Sequence, residues 1–279
     1  ADAHLPTALA SLPRFETSRP RAAPTLSSHE VERVLEQLHA SPVASPAYQQ
    51  AKSLTQEWTA RELPVIEQEV LRHGGRASPF VEQELLPRLN PAYAALQELS
   101  DADVFVRRRG AQALSRIARE ATLPALLTAR LFDLMTIEQD QLVWRLVMSA
   151  VSEDDMPEAA RLAELAVNHT WPDVRVLGRG YARRHPRPQY ARWLLPLLSD
   201  KNRAVQLAAI EAAGACRNPL LIEGLPARGE NPAWPGLSAL MNGGDARLGF
   251  AVAASMSDLG DERGMQEFIR LSFSESAEM

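Results

Sequence analysis

The sequence predicts an all-α fold built from stacked pairs of helices, and two observations lead to this class. Hydrophobic residues make up 46% of the 279 residues but aromatic residues only 6%, so Ala and Leu must supply most of the packing. Small aliphatic side chains suit closely packed helices better than a β-sandwich, where β-branched and aromatic residues are enriched. The second observation is a pattern of paired helices that recurs along the C-terminal part of the chain.

The first 99 residues predict an arm followed by irregular helices. Residues 1–28 hold four prolines among Ser, Thr and Arg, which favours an extended, Pro-rich arm. A helix is expected after Ser27-Ser28, where a hydroxyl group can cap free N–H groups and apolar residues then recur at helical spacing from Val31. Two further helical runs are interrupted by prolines. We therefore expect residues 29–99 to form an irregular helical N-terminal region.

From residue 100 onward, an apolar or small residue recurs at positions i, i+4 and i+7 of successive helices. The five triplets are Val106, Gly110 and Ala113; Val143, Val147 and Ala150; Val174, Gly178 and Tyr181; Val205, Ala209 and Ala212; and, more loosely, Ala246, Phe250 and Ala253. Their first members lie 37, 31, 31 and 41 residues apart, and a polar break with an apolar helix before it precedes each one. Because one helix pair cannot bury its apolar face alone, this period predicts an α-solenoid over residues 100–279.

Two of these segments resemble the second helix of a HEAT repeat, in which Asp, Val, Arg and a small residue recur in order. They read Asp103-x-x-Val106-Arg107-x-x-Gly110-x-x-Ala113-Leu114 and Pro172-Asp173-Val174-Arg175-x-x-Gly178. The segment after Asp200 is similar, although Gln206 stands where Arg is usual, and Trp144 takes that position in the second copy. The resemblance covers about residues 92–270. It implies an architecture rather than a function, because HEAT-like proteins include scaffolds, adaptors, lyase subunits and DNA-repair enzymes.

Arginines on the second helices are the main candidates for a functional site. Arg175, Arg179 and Arg183 are spaced i, i+4 and i+8, so they share one helix face. A second cluster begins with Arg107 and Arg108, two helix pairs earlier, and continues to Arg119. If both clusters line a concave surface, they form a positive groove for carboxylates or phosphates. The alternative is that these arginines pair with preceding aspartates and neighbouring helices, or are solvated.

Composition and motifs narrow the classes of function. The net charge of −5 provides no global basic field for nucleic acid or an anionic membrane, and the single Cys216 excludes an internal disulfide and metal sites built on several cysteines. No apolar run approaches the roughly 18 residues that span a bilayer, and no signal-peptide core is evident, so we expect a cytoplasmic location. No zinc-binding histidine pair, P-loop, dinucleotide fingerprint or nucleophile elbow occurs. We therefore expect neither a cofactor nor a metal.

The sequence thus predicts a non-enzymatic scaffold or adaptor that holds an acidic protein surface or peptide on a concave face. The predicted contact residues are Arg107, Arg108, Arg175, Arg179, Arg183 and, if its indole is exposed, Trp144. The alternative is a nucleic-acid-binding protein that resembles the HEAT-like alkylpurine DNA glycosylases. Phe105-Val106-Arg107-Arg108 resembles part of a helix of that family, but residues 90–100 lack the tryptophan and aspartate that it places before this helix. A third possibility is a subunit that attaches a cofactor, as in some HEAT-like lyases.

Overall fold

The computed structural model describes residues 26–153, 155–227, 233–241 and 245–275 of the chain. These residues form sixteen α-helices and a single two-stranded ribbon, which confirms the predicted all-α class. No helix among them is both long enough and apolar enough to cross a membrane. Residues 1–25 of the predicted Pro-rich arm lie outside the described residues, as does the predicted break at Gly243-Gly244.

The helices and strands are listed here in chain order. They are α1 (Ser28–Ala40), α2 (Pro46–Leu54), α3 (Leu63–Arg72), α4 (Leu86–Leu89), α5 (Pro91–Leu99), α6 (Val104–Ala118), α7 (Ala125–Met135), α8 (Gln141–Val151), α9 (Pro157–Val167), α10 (Pro172–Arg184), α11 (Ala191–Leu197), α12 (Arg203–Ala215), α13 (Leu220–Glu223), β1 (Gly224–Leu225), β2 (Trp234–Pro235), α14 (Leu237–Leu240), α15 (Ala246–Asp258) and α16 (Glu262–Glu275). A π-helical turn, Val81–Leu85, precedes α4.

The chain forms two compact units, Ala1–Ile66 and Glu67–Met279, and the boundary falls within α3. In the first unit, α1 begins with a capping box: the Ser27 hydroxyl accepts the Glu30 N–H, and the Glu30 carboxylate accepts the Ser27 N–H at 2.9 Å. The apolar face predicted from Val31 is buried, and α1 packs against α2. The expected start and buried face of this helix are confirmed.

In the second unit, helices pack in pairs and also against the helices of neighbouring pairs. Among the second helices, α6 lies against α8, α10 against α12, and α12 against α15. Among the first helices, α7 lies against both α5 and α9. Within pairs, α5 packs on α6 and α9 packs on α10. The second helix of a pair therefore packs against other helices on more than one side.

Polar caps set the starts of the second helices. The side chains of Asp103, Asp140, Asn202 and Asp245 each accept backbone N–H groups from the first turn of α6, α8, α12 and α15. These residues stand in the polar breaks of the sequence, where such side chains satisfy N–H groups that have no partner within the helix. Helix α10 differs, because Pro172 occupies its first turn and Trp171 provides no side-chain cap.

Glycines mark the closest approach within two of the pairs. A Cβ atom added to Gly110 of α6 would lie 2.6 Å from the carbonyl oxygen of Ala95 in α5. A Cβ atom added to Gly178 of α10 would lie 2.6 Å from the carbonyl oxygen of Ala163 in α9. Both glycines are the second member of a sequence triplet, so a small residue at this position permits close helix packing.

One segment departs from the predicted helices. The sequence predicts a helix from Pro235 to Met241, but α14 begins at Leu237. Trp234 and Pro235 instead pair antiparallel with Leu225 and Gly224. Gly224 has a φ of 81°, and a Cβ atom there would meet the Trp234 carbonyl oxygen. The ribbon thus depends on a glycine whose backbone role the helical pattern does not reveal.

Candidate functional site

Arg107 links α6 to the turn before α8. Its Nε donates to the Glu138 carboxylate at 2.8 Å, and its Nη1 donates to the carbonyl oxygens of Asp101 and Ala102 at 3.1 and 2.9 Å. Glu138 is buried and also accepts backbone N–H groups of its own turn. The hydrogen bond to Glu138 raises the pKa of Arg107. Arg107 is therefore occupied in joining two helix pairs.

Arg175 makes the same set of contacts in α10. Its Nε donates to the Asp200 carboxylate at 2.8 Å, and its Nη1 donates to the carbonyl oxygens of His169 and Thr170 at 2.9 and 2.8 Å. The two acceptor carbonyls lie six and five residues before the arginine, as they do for Arg107. Both arginines thus match the alternative interpretation, in which they pair with a neighbouring helix rather than line an open groove.

Arg108 forms a two-point ion pair with Asp140. Arg108 Nη2 and Asp140 Oδ2 are 2.7 Å apart, and Arg108 Nε donates to Oδ1 at 3.1 Å. Asp140 simultaneously caps α8 by accepting the N–H groups of Leu142 and Val143. The Arg108 guanidinium, with these N–H groups, holds the pKa of Asp140 below its usual value. On its other side the guanidinium lies 5.8 Å from the ring centre of Phe105, within the range of a cation–π contact.

Arg179 and Arg183 share one carboxylate but differ in exposure. Arg179 is buried, donates to the Ala208 carbonyl oxygen at 2.5 Å, and lies 3.8 Å from the Glu211 carboxylate. Its Nε has no partner among the described residues, and burial lowers its pKa to about 10. Arg183 is exposed and pairs with the same Glu211 at 3.2 Å. Each of the three arginines predicted to share one face of α10 therefore has a carboxylate partner, and only Arg183 is exposed.

Trp144 lies in the core. Its side chain is only 1% exposed, its Nε1 donates to the Glu138 carbonyl oxygen at 3.2 Å, and its ring lies 5.0 Å from that of His169. The condition for a partner contact, an exposed indole, is not met. Trp144 instead anchors the turn that carries Glu138, because its hydrogen bond holds that carbonyl.

Each of the two ion pairs of α6 has at least one exposed apolar residue next to it in contact or in sequence. Phe105 is 72% exposed, Ile137 76% and Leu142 39%, and we call these three residues the apolar rim. The Phe105 ring lies against the Arg108 guanidinium. Asp140, which pairs with Arg108, accepts the Leu142 N–H, and Ile137 comes directly before Glu138, which pairs with Arg107. Sequence reasoning did not select these residues. Their positions in the sequence could have indicated that Phe105 and Leu142 are exposed, because each directly precedes the first member of a triplet and so points outward.

Two exposed arginines, one on α6 and one on α8, have no partner within the described part of the chain. Arg116 of α6 follows Phe105 by eleven residues, or about three helical turns, so it lies on the same side of the helix. Arg145 of α8 follows Leu142 by three residues. We call the apolar rim together with Arg116 and Arg145 the α6–α8 face. It combines exposed apolar side chains with uncompensated positive charge, although the whole chain is acidic.

The chain matches no known family model and no curated protein. Among the residues that the structure describes, no three His, Cys, Asp or Glu side chains come together as a metal site. Since a fold alone does not define an activity, the function has to be inferred from the chemistry of the α6–α8 face.

Proposed function

We propose that the protein is a HEAT-like α-solenoid that acts as a scaffold or adaptor and binds an acidic segment of a protein partner on the α6–α8 face. The observation that carries this proposal is the apolar rim together with two unpaired, exposed arginines on α6 and α8. Aromatic and arginine side chains with apolar neighbours are the groups most enriched among energetically dominant interface residues. Grouped exposed apolar residues are also typical of an interaction surface.

The repeated contacts support the solenoid. Arg107 and Gly110 of α6 bind the end of α5 and its turn, and Arg175 and Gly178 of α10 bind the end of α9 and its turn in the same manner. The second set is shifted by 68 positions, since 175 follows 107 and 178 follows 110 by that number. Side-by-side packing of α6 with α8 and of α10 with α12 agrees with helix pairs that contact only their neighbours.

The composition of the face favours a partner with both apolar and acidic groups. An apolar side chain of the partner can cover Phe105 or Leu142, while carboxylates can reach Arg116 and Arg145. Truncating a central apolar contact of this kind costs about 2 kcal/mol of binding free energy or more. The exposed arginines contribute mainly to the association rate and to the choice of an acidic partner.

Affinity capture from the source lysate tests this proposal with a charge-reversal variant, Arg116→Glu/Arg145→Glu. The matched control is Arg192→Glu, because Arg192 of α11 is exposed and also has no partner among the described residues. We expect proteins that bind the wild type and the control to be lost from the double variant, with or without nuclease treatment. If the wild type, the control and the double variant capture the same proteins in equal amounts, the α6–α8 face is not the binding surface.

The same experiment examines the nucleic-acid alternative. Phosphate binding releases counterions, so captured nucleic acid should dissociate steeply as salt is raised. If the wild type captures nucleic acid, and if this capture is lost in the double variant and after nuclease treatment, the nucleic-acid hypothesis replaces the scaffold proposal. A base-excision assay on alkylated DNA would then follow.

A further inference from the structure

A cavity of about 280 Å³ opens on the exposed side of α6. It is lined by Arg109, Gln112, Ala113, Arg116 and Arg119. Residues spaced i, i+3, i+4, i+7 and i+10 lie on one side of a helix, so α6 and the residue that ends it, Arg119, supply all five lining side chains. The small side chain of Ala113 leaves room between the longer arginine and glutamine side chains.

Positive charge in this cavity is largely uncompensated. Arg109 pairs with Glu98 at 3.0 Å, whereas Arg119 donates its Nε only to the Ser115 carbonyl oxygen of its own helix, at 3.3 Å. The side chains of Arg116 and Gln112 make no hydrogen bond with any described residue. Three guanidinium groups therefore face one carboxylate. Like charges three residues apart on a helix repel, so an anion in the cavity would relieve an unfavourable arrangement.

The donors suit a compact anion with several oxygens. Guanidinium groups bind phosphate and carboxylate oxygens in pairs, and a phosphomonoester offers three oxygens with a charge of about −1.5 to −2 at neutral pH. Two unpaired guanidinium groups and one amide match that number of acceptors better than they match a single carboxylate. A carboxylate lies at each end of the cluster: Glu98 pairs with Arg109, and the exposed Glu120 directly follows Arg119. They disfavour a long polyanion that would continue past either end.

We propose that this cavity, the α6 anion site, binds the phosphoryl group of a phosphorylated serine or threonine in the protein partner. The inference rests on the proposed function, because it assigns a phosphorylated segment to the partner held on the α6–α8 face. Arg116 belongs to both the site and the face. A segment bound through its phosphate at Arg116 and Arg119 can therefore continue along α6 toward Phe105.

The test uses nuclear magnetic resonance of the arginine Nε–H groups in the full chain. The probes are inorganic phosphate and the blocked peptides Gly-pSer-Gly and Gly-Ser-Gly, each titrated at constant ionic strength. We expect saturable shifts at Arg116 and Arg119 with phosphate and with the phosphopeptide, tighter for the phosphopeptide. Arg192 should shift weakly and linearly, and the unphosphorylated peptide should have no effect. The variant Arg116→Gln/Arg119→Gln should weaken phosphopeptide binding at least tenfold.

Each other outcome contradicts the inference. Equal, linear shifts at all exposed arginines would show screening rather than a site, and saturable binding that survives in the double variant would place the anion elsewhere. Phosphate binding without phosphopeptide binding would overturn the assignment to a phosphorylated partner. Because these probes need no partner, the titration and the lysate capture can fail independently. Saturable phosphopeptide binding with no captured protein would refute the proposed function but retain the site.

Discussion

Replacing Gly178 with alanine tests the closest contact between α9 and α10. The added Cβ atom would lie 2.6 Å from the Ala163 carbonyl oxygen, 2.7 Å from the Val167 nitrogen and 2.8 Å from the Ala166 Cβ. Ordinary van der Waals contact starts near 3.4 Å, so the helices must separate by roughly 0.8 Å locally. Two of the three atoms belong to the backbone, and no side-chain rotation can relieve the clash.

Two opposing effects determine how much Gly178→Ala changes the free energy of unfolding. Alanine is about 1 kcal/mol more favourable than glycine within a helix. Overpacking a well-packed interface typically costs about 1 to 3 kcal/mol, and a backbone clash belongs near the upper end of that range. We therefore expect Gly178→Ala to lower the free energy of unfolding by about 2 kcal/mol. Gly180 is the matched control, because a Cβ atom there meets no atom within 4 Å.

Urea unfolding followed by far-ultraviolet circular dichroism measures both variants. Gly180→Ala should raise the free energy of unfolding by up to about 1 kcal/mol, since it gains the helix propensity without the clash. Gly110→Ala should behave like Gly178→Ala, because its contact with α5 is equivalent. Equal stability of Gly178→Ala and Gly180→Ala would refute the close packing of α9 and α10.

Three further predictions concern an ion pair, a histidine and a backbone conformation. Arg107→Ala should cost about 2 kcal/mol in urea unfolding, because it leaves the buried Glu138 without its charged donor; the same cost in a Glu138→Gln background would contradict this. Burial, with a smaller effect of nearby positive charge, lowers the pKa of His169, so the unfolded chain takes up the proton first. Stability should therefore be full above about pH 6.5 and fall as the pH drops toward the folded pKa, and His169→Gln should flatten that dependence between pH 7.5 and 5. Arg217 has a φ of 49°, so Arg217→Gly should raise stability by up to about 1 kcal/mol while Arg217→Ala does not, as thermal unfolding can show.

The helix starts that have a side-chain cap could be predicted from the sequence because the cap is local. Asp103, Asp140 and Asn202 cap helices within three residues of themselves. The glycines of two triplets, Gly110 and Gly178, also mark a contact with the helix that directly precedes each of them. The partners of Arg107 and Arg175 could not be predicted in the same way. Their carboxylates lie 31 and 25 residues further along the chain, and only the packing of the next pair brings them into range.

The burial of Trp144 shows why exposure was harder to predict than helix position. A triplet defines one narrow apolar stripe, and Trp144 lies just beside the stripe of α8. Helix α8 packs against both α6 and α10, so its buried arc is wider than one stripe and includes the indole. In α6 and α8 the exposed large apolar residues are Phe105 and Leu142, which lie in the first turns of these helices.

The 68-residue shift between the two arginine-and-glycine contact sets means that the corresponding segments share one spacing of contacts. Joining Ala102 directly to Trp171 would remove residues 103–170 and leave every spacing at the junction unchanged. Arg175 would again follow two carbonyl groups by five and six residues, and Gly178 would again stand 15 residues after Ala95. The shortened chain would thus pair α5 with α10, a new interface built with the spacing that α5 and α6 have now.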